Sequence, residues 1–201
     1  PELNTEDHYA YIVGYPDGNV KPEGNITRAE VATIFFRLLT DESRDEFWSQ
    51  TNPYSDVSED DWYNNAVSTL TNAGIIDGYE DGTFKPNGNI TRAEFATVCA
   101  QFDRSEIDKT FHFSDTHGHW AESFIERAAS LGWISGYEDG AFRPENYITR
   151  AEAMTMINRV LKRLPETEDD LIPGMKRWPD NQPDAWYYLA VQELSLIHIS
   201  E

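Results

Sequence analysis

The chain has 201 residues, enough for one large domain or several small units, and its 39% hydrophobic and 13% aromatic content suits a packed core rather than a disordered acidic tail. The formal net charge of −20 argues against nucleic acid or an anionic membrane surface as partner, so any anionic ligand must be held by local cations against an unfavourable overall field. Cys99 is the only cysteine, which excludes an intrachain disulfide and makes a cysteine metal site improbable. No apolar run is long enough to cross a bilayer, and a start at Pro1 without methionine or signal peptide reads as a piece of a longer or processed protein.

In chain order, the first recognisable stretch is the loop Gly14-Tyr15-Pro16-Asp17-Gly18, followed by Val20-Lys21-Pro22. Asp-Gly and Lys-Pro read as consecutive tight turns that deliver the chain to a helix start in a fixed way. That start is Ile26-Thr27-Arg28-Ala29-Glu30, a capping box in which the threonine accepts a backbone N–H three residues on and the glutamate reaches back. Val31, Ile34, Phe35 and Leu38 then form an apolar stripe at helical spacing. Residues 41–52 are polar and charged and read as a connector.

Ser55-Asp56 precedes a helix expected from Trp62 to about Ala73, with Ala66, Val67 and Leu70 on one face and Gly74 suited to a left-handed C-cap. The loop then recurs as Gly78-Tyr79-Glu80-Asp81-Gly82 and Phe84-Lys85-Pro86, and the capping box as Ile90 to Glu94, before a stripe of Phe95, Val98, Cys99 and Phe102. After a polar connector at 103–110 the pattern comes a third time. Ser114-Asp115 leads a helix from Trp120 to about Leu131, with Phe124, Ala128 and Leu131 on one face and Gly132 at its end. Gly136-Tyr137-Glu138-Asp139-Gly140, Phe142-Arg143-Pro144 and Ile148 to Glu152 follow, with Met154, Ile157, Val160 and Leu161 as the stripe.

The first repeat lacks its leading helix, and the missing piece turns up at the far end. Trp178-Pro179-Asp180, then Trp186, Tyr187, Ala190, Val191 and Leu194, repeat the pattern of Asp56, Trp62 and Ala66-Val67. The expected fold is therefore mostly α, with three helix-loop-helix repeats and the C-terminal helix closing a pseudo-threefold ring. The expected divisions are repeat one at 1–52 with its first helix supplied by 178–194, repeat two at 53–110, repeat three at 111–164, a surface crossover at 165–177, and an atypical tail at 195–201 that is excluded from function.

The odd residue is the arginine. Arg28, Arg92 and Arg150 fall at the first helical position, where the helix dipole disfavours a cation by roughly 0.3–1 kcal/mol. One reading is an anion site, with free N–H groups of the helix start beside a planar donor suited to a carboxylate or phosphate. The other is that each arginine pairs with an acid of the preceding loop and steadies the turn. Lys21, Lys85 and Arg143, seven residues earlier, bring a second cation to the same mouth, so these six are over a third of the sixteen basic residues.

Other repeated residues have two readings as well. Gly14, Gly78 and Gly136 suit either close approach of a ligand to the backbone or a positive φ. Tyr15, Tyr79 and Tyr137 either offer a ring for a ligand to stack on or fill the core, and Trp62, Trp120 and Trp186 read as packing residues with one exposed edge. Asp17, Asp81 and Asp139 cap turns. The histidines His8, His112, His117, His119 and His198 show no repeated placement, and no metal or cofactor is expected.

Gly-Tyr-x-Asp-Gly-x-Phe-Lys-Pro joined to Ile-Thr-Arg-Ala-Glu, preceded by Ser-Asp and a Trp-led helix, resembles the S-layer homology domain of bacterial cell-envelope proteins. The resemblance covers about residues 8 to 194, and three linked copies make it specific. It implies a three-lobed spindle whose grooves hold a secondary cell-wall polysaccharide, typically through a terminal sugar bearing a pyruvate ketal and hence a carboxylate. It also implies an extracellular module at the cell wall or S-layer of a bacterium, within a longer surface protein. The family's motif arginine corresponds to Arg28, Arg92 and Arg150, and together with the local chemistry the expected ligand-binding residues are these three with Lys21, Lys85, Arg143, Gly14, Gly78, Gly136, Trp62, Trp120 and Trp186. A calcium-dependent adhesion or S-layer assembly module is the alternative, although these loops offer too few regularly spaced oxygens. An enzyme is not expected, since every repeated acid already has a capping or turn role and no catalytic signature stands out.

Overall fold

The computed structural model of the chain describes residues 1–7, 11, 14–107, 111–163, 165, 167–171 and 177–193. Among these the structure is helical, with isolated β-bridges and no sheet. The helices are α1 (Arg28–Leu38), α2 (Asp41–Phe47), α3 (Asn64–Asn72), α4 (Arg92–Ala100), α5 (Glu122–Ser130), α6 (Arg150–Val160) and α7 (Tyr188–Glu193), with a 3-10 turn at Glu168–Asp170. The tail at 195–201, together with Leu194, His8 and His198, lies outside the described residues.

The three capping boxes are formed as expected. Thr27, Thr91 and Thr149 each accept the N–H of the glutamate three residues on, at 3.2, 3.1 and 3.1 Å, while that glutamate accepts the threonine N–H. Each start therefore satisfies two helix-end donors locally. Gly74 and Gly132 end α3 and α5 at φ 70° and 74°, the left-handed conformation expected of them. The leading tryptophans stand outside their helices, two residues before the first helical residue in all three cases.

The stripes form the core. Val31, Ile34, Phe35 and Leu38 of α1, Phe95, Val98 and Cys99 of α4, and Met154, Ile157 and Val160 of α6 are buried. Phe35 stacks on Phe102 at 5.3 Å and tilts against Phe95 at 6.0 Å. Burial pushes the Cys99 thiol up, which fits a small apolar filler. In α5 the inward face is Ile125, Ala128 and Ala129; Phe124 and Leu131, expected there, are half-buried. Helix α2 lies where a connector was expected. Thr40 accepts the N–H of Ser43 at 3.2 Å, and Asp41 and Glu42 favour the positive end of the helix dipole. That Thr-Asp-Glu signal was present in the sequence.

The chain forms two compact units, Pro1–Leu3 with Ile26–Ile148 and Asn4–Asn25 with Thr149–Glu201. In the first, α3 packs on α1 and α2, and α5 packs on α4. In the second, α7 packs on α6. The second unit also buries Tyr11, whose hydroxyl donates to Asn158 Oδ1 at 2.8 Å, and Arg163, which donates to the carbonyl of Asp7. Both ends of the chain thus contribute to it.

Candidate functional site

Each repeated loop is gripped by one aspartate. Asp56 accepts the N–H groups of Phe84 and Lys85, both at 2.8 Å, and Asp115 those of Phe142 and Arg143, both at 2.8 Å. Asp180 accepts those of Val20 at 3.0 Å and Lys21 at 2.7 Å. The grip accompanies a left-handed backbone at the cation, with φ 50° for Lys21, 54° for Lys85 and 58° for Arg143. A side chain there costs roughly 1–2 kcal/mol, which two charge-assisted hydrogen bonds offset.

The turn just before is closed by its own aspartate. The N–H groups of Asn19, Thr83 and Ala141 donate to Asp17, Asp81 and Asp139, each at 3.0 Å. The Asn19 N–H holds the Asp17 carboxyl below its usual 3.8, the Thr83 hydroxyl does so for Asp81, and the Ala141 N–H for Asp139.

The loop cation and the motif arginine share one tyrosine ring. Lys85 and Arg28 lie 4.3 and 4.7 Å from the centre of Tyr79. Arg143 and Arg92 lie 3.9 and 4.7 Å from Tyr137, and Lys21 and Arg150 lie 4.0 and 4.8 Å from Tyr15. Cation–π attraction at these distances fixes both charges relative to the ring. Lys21 also pairs with Asp17 at 3.6 Å and Arg143 with Asp139 at 3.2 Å. Lys85 makes no ion pair among the described residues.

The arginines are interior groups, only 3, 2 and 2% exposed for Arg28, Arg92 and Arg150. Arg28 donates from Nε to the carbonyl of Phe84 at 2.8 Å, from Nη2 to that of Asp77 at 2.7 Å, and from Nη1 to Glu94 Oε2 at 2.6 Å. Arg92 Nε donates to the carbonyl of Phe142 and Arg150 Nε to that of Val20, both at 2.8 Å. The acid on Arg28 is thus the capping-box glutamate of the next repeat, not one from the preceding loop. Glu94 Oε2 also receives the Tyr79 hydroxyl at 2.8 Å. Burial, with Glu94 adding to it, pushes Tyr79 up to about 12, so the hydroxyl stays a donor at neutral pH.

Nor are the first N–H groups of the helices open to an anion. Arg28 and Ala29 donate to the carbonyls of Gly88 and Pro86, both at 2.9 Å. Arg92 and Ala93 donate to Asn146 and Pro144 at 2.8 and 3.0 Å, and Arg150 and Ala151 to Gly24 and Pro22 at 2.8 and 2.7 Å. Each capping-box helix is closed by the Pro-led turn of another repeat.

Gly14, Gly78 and Gly136 are not at positive φ; Gly18, Gly82 and Gly140 are. A Cβ at the first three would collide with a neighbouring ring, that of Trp178, Tyr54 or Phe113 respectively. Their smallness admits an aromatic of their own lobe.

In the first unit these elements border a cavity of about 570 Å³. Arg28, Gly78, Lys85 and Trp120 of the expected ligand-binding set line it, together with Tyr79, Asn89, Glu94, Glu145 and Tyr147. Trp120 is 60% exposed, as Trp62 (68%) and Trp186 (69%) are in their own surroundings. The cavity thus combines a loop cation without an ion pair among the described residues, a buried arginine–glutamate pair behind a tyrosine ring, and exposed aromatic faces. Such a set suits a ligand with one anionic group and a ring to stack. Tyr147 and Glu94 were not anticipated. The signal for Tyr147 was its break with the repeat, since Asn25 and Asn89 occupy the same point.

Comparison with known proteins agrees with the repeat pattern. The family described as the S-layer homology domain matches residues 9–32, 53–96 and 112–154. The chain is 45% identical to cell surface glycoprotein 1 of Acetivibrio thermocellus over an alignment of 206 residues that covers 96% of this chain and 9% of that protein. It is 36% identical over 200 residues to the cellulosome-anchoring protein of the same organism, covering 96% of this chain and 44% of that one. It is also 32% identical over 161 residues to exoglucanase XynX of Acetivibrio thermocellus, covering 76% of this chain and 14% of the enzyme. The chain thus spans less than half the length of each of these relatives. With three matched segments that account for more than half of its residues, the chain belongs to the S-layer homology domain family.

Proposed function

We propose that this segment is a non-catalytic module that anchors a longer surface protein by holding a pyruvylated secondary cell-wall polysaccharide in the cavity of the first unit. Family membership and the cell-surface relatives support a position at the cell wall or cell surface and an anchoring role. The polymer and its contacts are the proposal. The observation that carries it is Lys85, fixed on Tyr79 at the cavity with no ion pair among the described residues. The ketal carboxylate meets the Lys85 ammonium, while the charge of Arg28 is balanced by Glu94, its partner at 2.6 Å. Because Glu94 holds Nη1, Arg28 positions Glu94 and the Tyr79 ring, and a two-bond clamp of Arg28 on the carboxylate would require Glu94 to leave. Gly78 and Trp120 complete the wall. Arg92, Arg150, Lys21, Arg143, Gly14, Gly136, Trp62 and Trp186 stand at matching points of their own repeats and are proposed for matching roles.

The domain divisions and the pseudo-threefold closed arrangement belong to the same proposal. What supports them is the order of capping: α1 by the turn of repeat two, α4 by that of repeat three, α6 by that of repeat one. The grip of Asp180 on Val20 and Lys21 supports 178–194 as the first helix of repeat one.

The test is a pull-down on purified cell wall before and after chemical removal of the ketal groups. Binding should vanish with the ketals, weaken about tenfold or more in Lys85→Ala, and survive a chelator. Equal binding to ketal-free wall would overturn the proposed ligand, and loss with chelator would favour the calcium-dependent alternative.

A further inference from the structure

Tyr147 distinguishes this cavity from the other two repeated loops. The residue before the capping-box isoleucine is Asn25 in the first repeat and Asn89 in the second, and both are polar and small. At Tyr147 a full ring stands 56% exposed on the cavity, so it adds little to the core. Its backbone is nonetheless fixed on both sides, by the bridge to Thr91 and by the bond from the Ile148 N–H to the Ile90 carbonyl at 3.1 Å.

The same loop also fixes the second aromatic of this wall. Glu145, two residues before Tyr147, accepts from His119 Nε2 at 2.5 Å, and His119 Nδ1 receives the Ala121 N–H at 3.1 Å. The His119 ring lies 5.5 Å from that of Trp120. Glu145 and His119 therefore tie the loop carrying Tyr147 to the turn carrying Trp120. At the matching points the other repeats carry Asn87 with Asp61, and Glu23 with Ala185, neither of which forms a histidine–glutamate pair. Two exposed aromatics held by one link form a preorganised surface rather than scattered surface rings.

We propose that Tyr147, with Trp120, forms a second subsite that stacks an uncharged sugar ring next to the anionic sugar at Lys85, so that this cavity prefers a chain of two or more sugars over a single one. The inference rests on the polysaccharide reading above. An aromatic face takes the apolar face of a pyranose without needing its charge, whereas the asparagine of the sister loops offers hydrogen bonds and little area.

The test is calorimetric titration of the intact chain with two probes, a single pyruvylated sugar and a two-sugar pyruvylated wall fragment. The wild type should bind the longer probe about tenfold more tightly. Tyr147→Asn, which installs the sister residue, should bring that ratio to about one by weakening the longer probe more than the single sugar, and Tyr147→Phe should keep the ratio. Because Tyr147 is exposed, the melting temperature of both variants should stay at the wild-type value. An undiminished ratio in Tyr147→Asn, or a ratio lost equally in Tyr147→Phe, overturns the stacking subsite while leaving the anionic site standing. If neither probe binds the wild type, the polysaccharide reading itself fails, and the subsite with it.

Discussion

Repeat two and the second compact unit solve one structural problem with different stretches of chain. In repeat two, Asp56 reaches Phe84 across 28 residues of continuous sequence, whereas Asp180 makes the matching bond to Val20 across 160. Tyr54 lies against Gly78 in the first case and Trp178 against Gly14 in the second. The native bonds are alike, so the difference lies in the unfolded chain. Closing the longer loop costs about 1.5 kcal/mol more by the logarithmic length dependence. The comparison teaches that the lobe is defined by which groups meet, not by their order along the chain, and that the unit built from two ends is the easier one to open.

The harshest way to break this comparison is to delete residues 178–193. That removes Asp180, Trp178 and the buried Tyr188 and Val191, worth on the order of 5 kcal/mol of burial and hydrogen bonding. Hydrogen exchange should show protection lost in α6 and around Val20 while α1 and α4 stay protected. Uniform loss would mean that the two units do not open separately.

Next in size is the buried cation. Arg28→Ala strands Glu94 beside a buried cavity left by the guanidinium and should cost about 3–5 kcal/mol, read by denaturant melting. Arg28→Ala should expose the first unit and Arg150→Ala the second. A melting temperature unchanged in either would show that the guanidinium is not a structural tie.

A smaller effect compares the two aspartates directly. Asp56→Ala and Asp180→Ala each lose two carboxylate-to-N–H bonds, about 2 kcal/mol after solvent exposure is taken into account. Similar losses in equilibrium stability, with faster local exchange around Val20 than around Phe84, would sharpen the view that only chain connectivity separates the lobes.

The smallest expected effect comes from acid. Asp17, Asp81 and Asp139 have folded values below the ordinary 3.8, so the stability they contribute is full above that value and is lost as pH falls through their lower folded values. Melting temperature should therefore decline below about pH 4, and Asp17→Asn, Asp81→Asn and Asp139→Asn together should flatten that decline. An unaltered slope in the triple variant would remove the turns as its source.

Much of the site was legible because it follows local rules. Lys85, Arg28 and Gly78 recur at fixed offsets from a capping box, and with Trp120 they border one cavity. Tyr147 was passed over because it departs from the repeat, and helix α2 because its Thr40 cap lies in a charged stretch. The reason for the glycines was hidden too, since their neighbours Trp178, Tyr54 and Phe113 lie well away in sequence.

By itself the sequence determined the repeated helices, their capped starts and glycine ends, the apolar stripes and the repeat unit, because each depends on hydrogen bonds or periodicity within a few residues. Only the tertiary structure decided where the arginines point. Their partners, among them Phe84, Asp77 and Glu94 for Arg28, belong to another repeat, and a buried guanidinium must be satisfied by whatever carbonyls and carboxylates surround it. The charge that looked available at a helix start is therefore spent inside the fold, and the cavity cation without an ion pair among the described residues is Lys85, which the same fold holds at its surface.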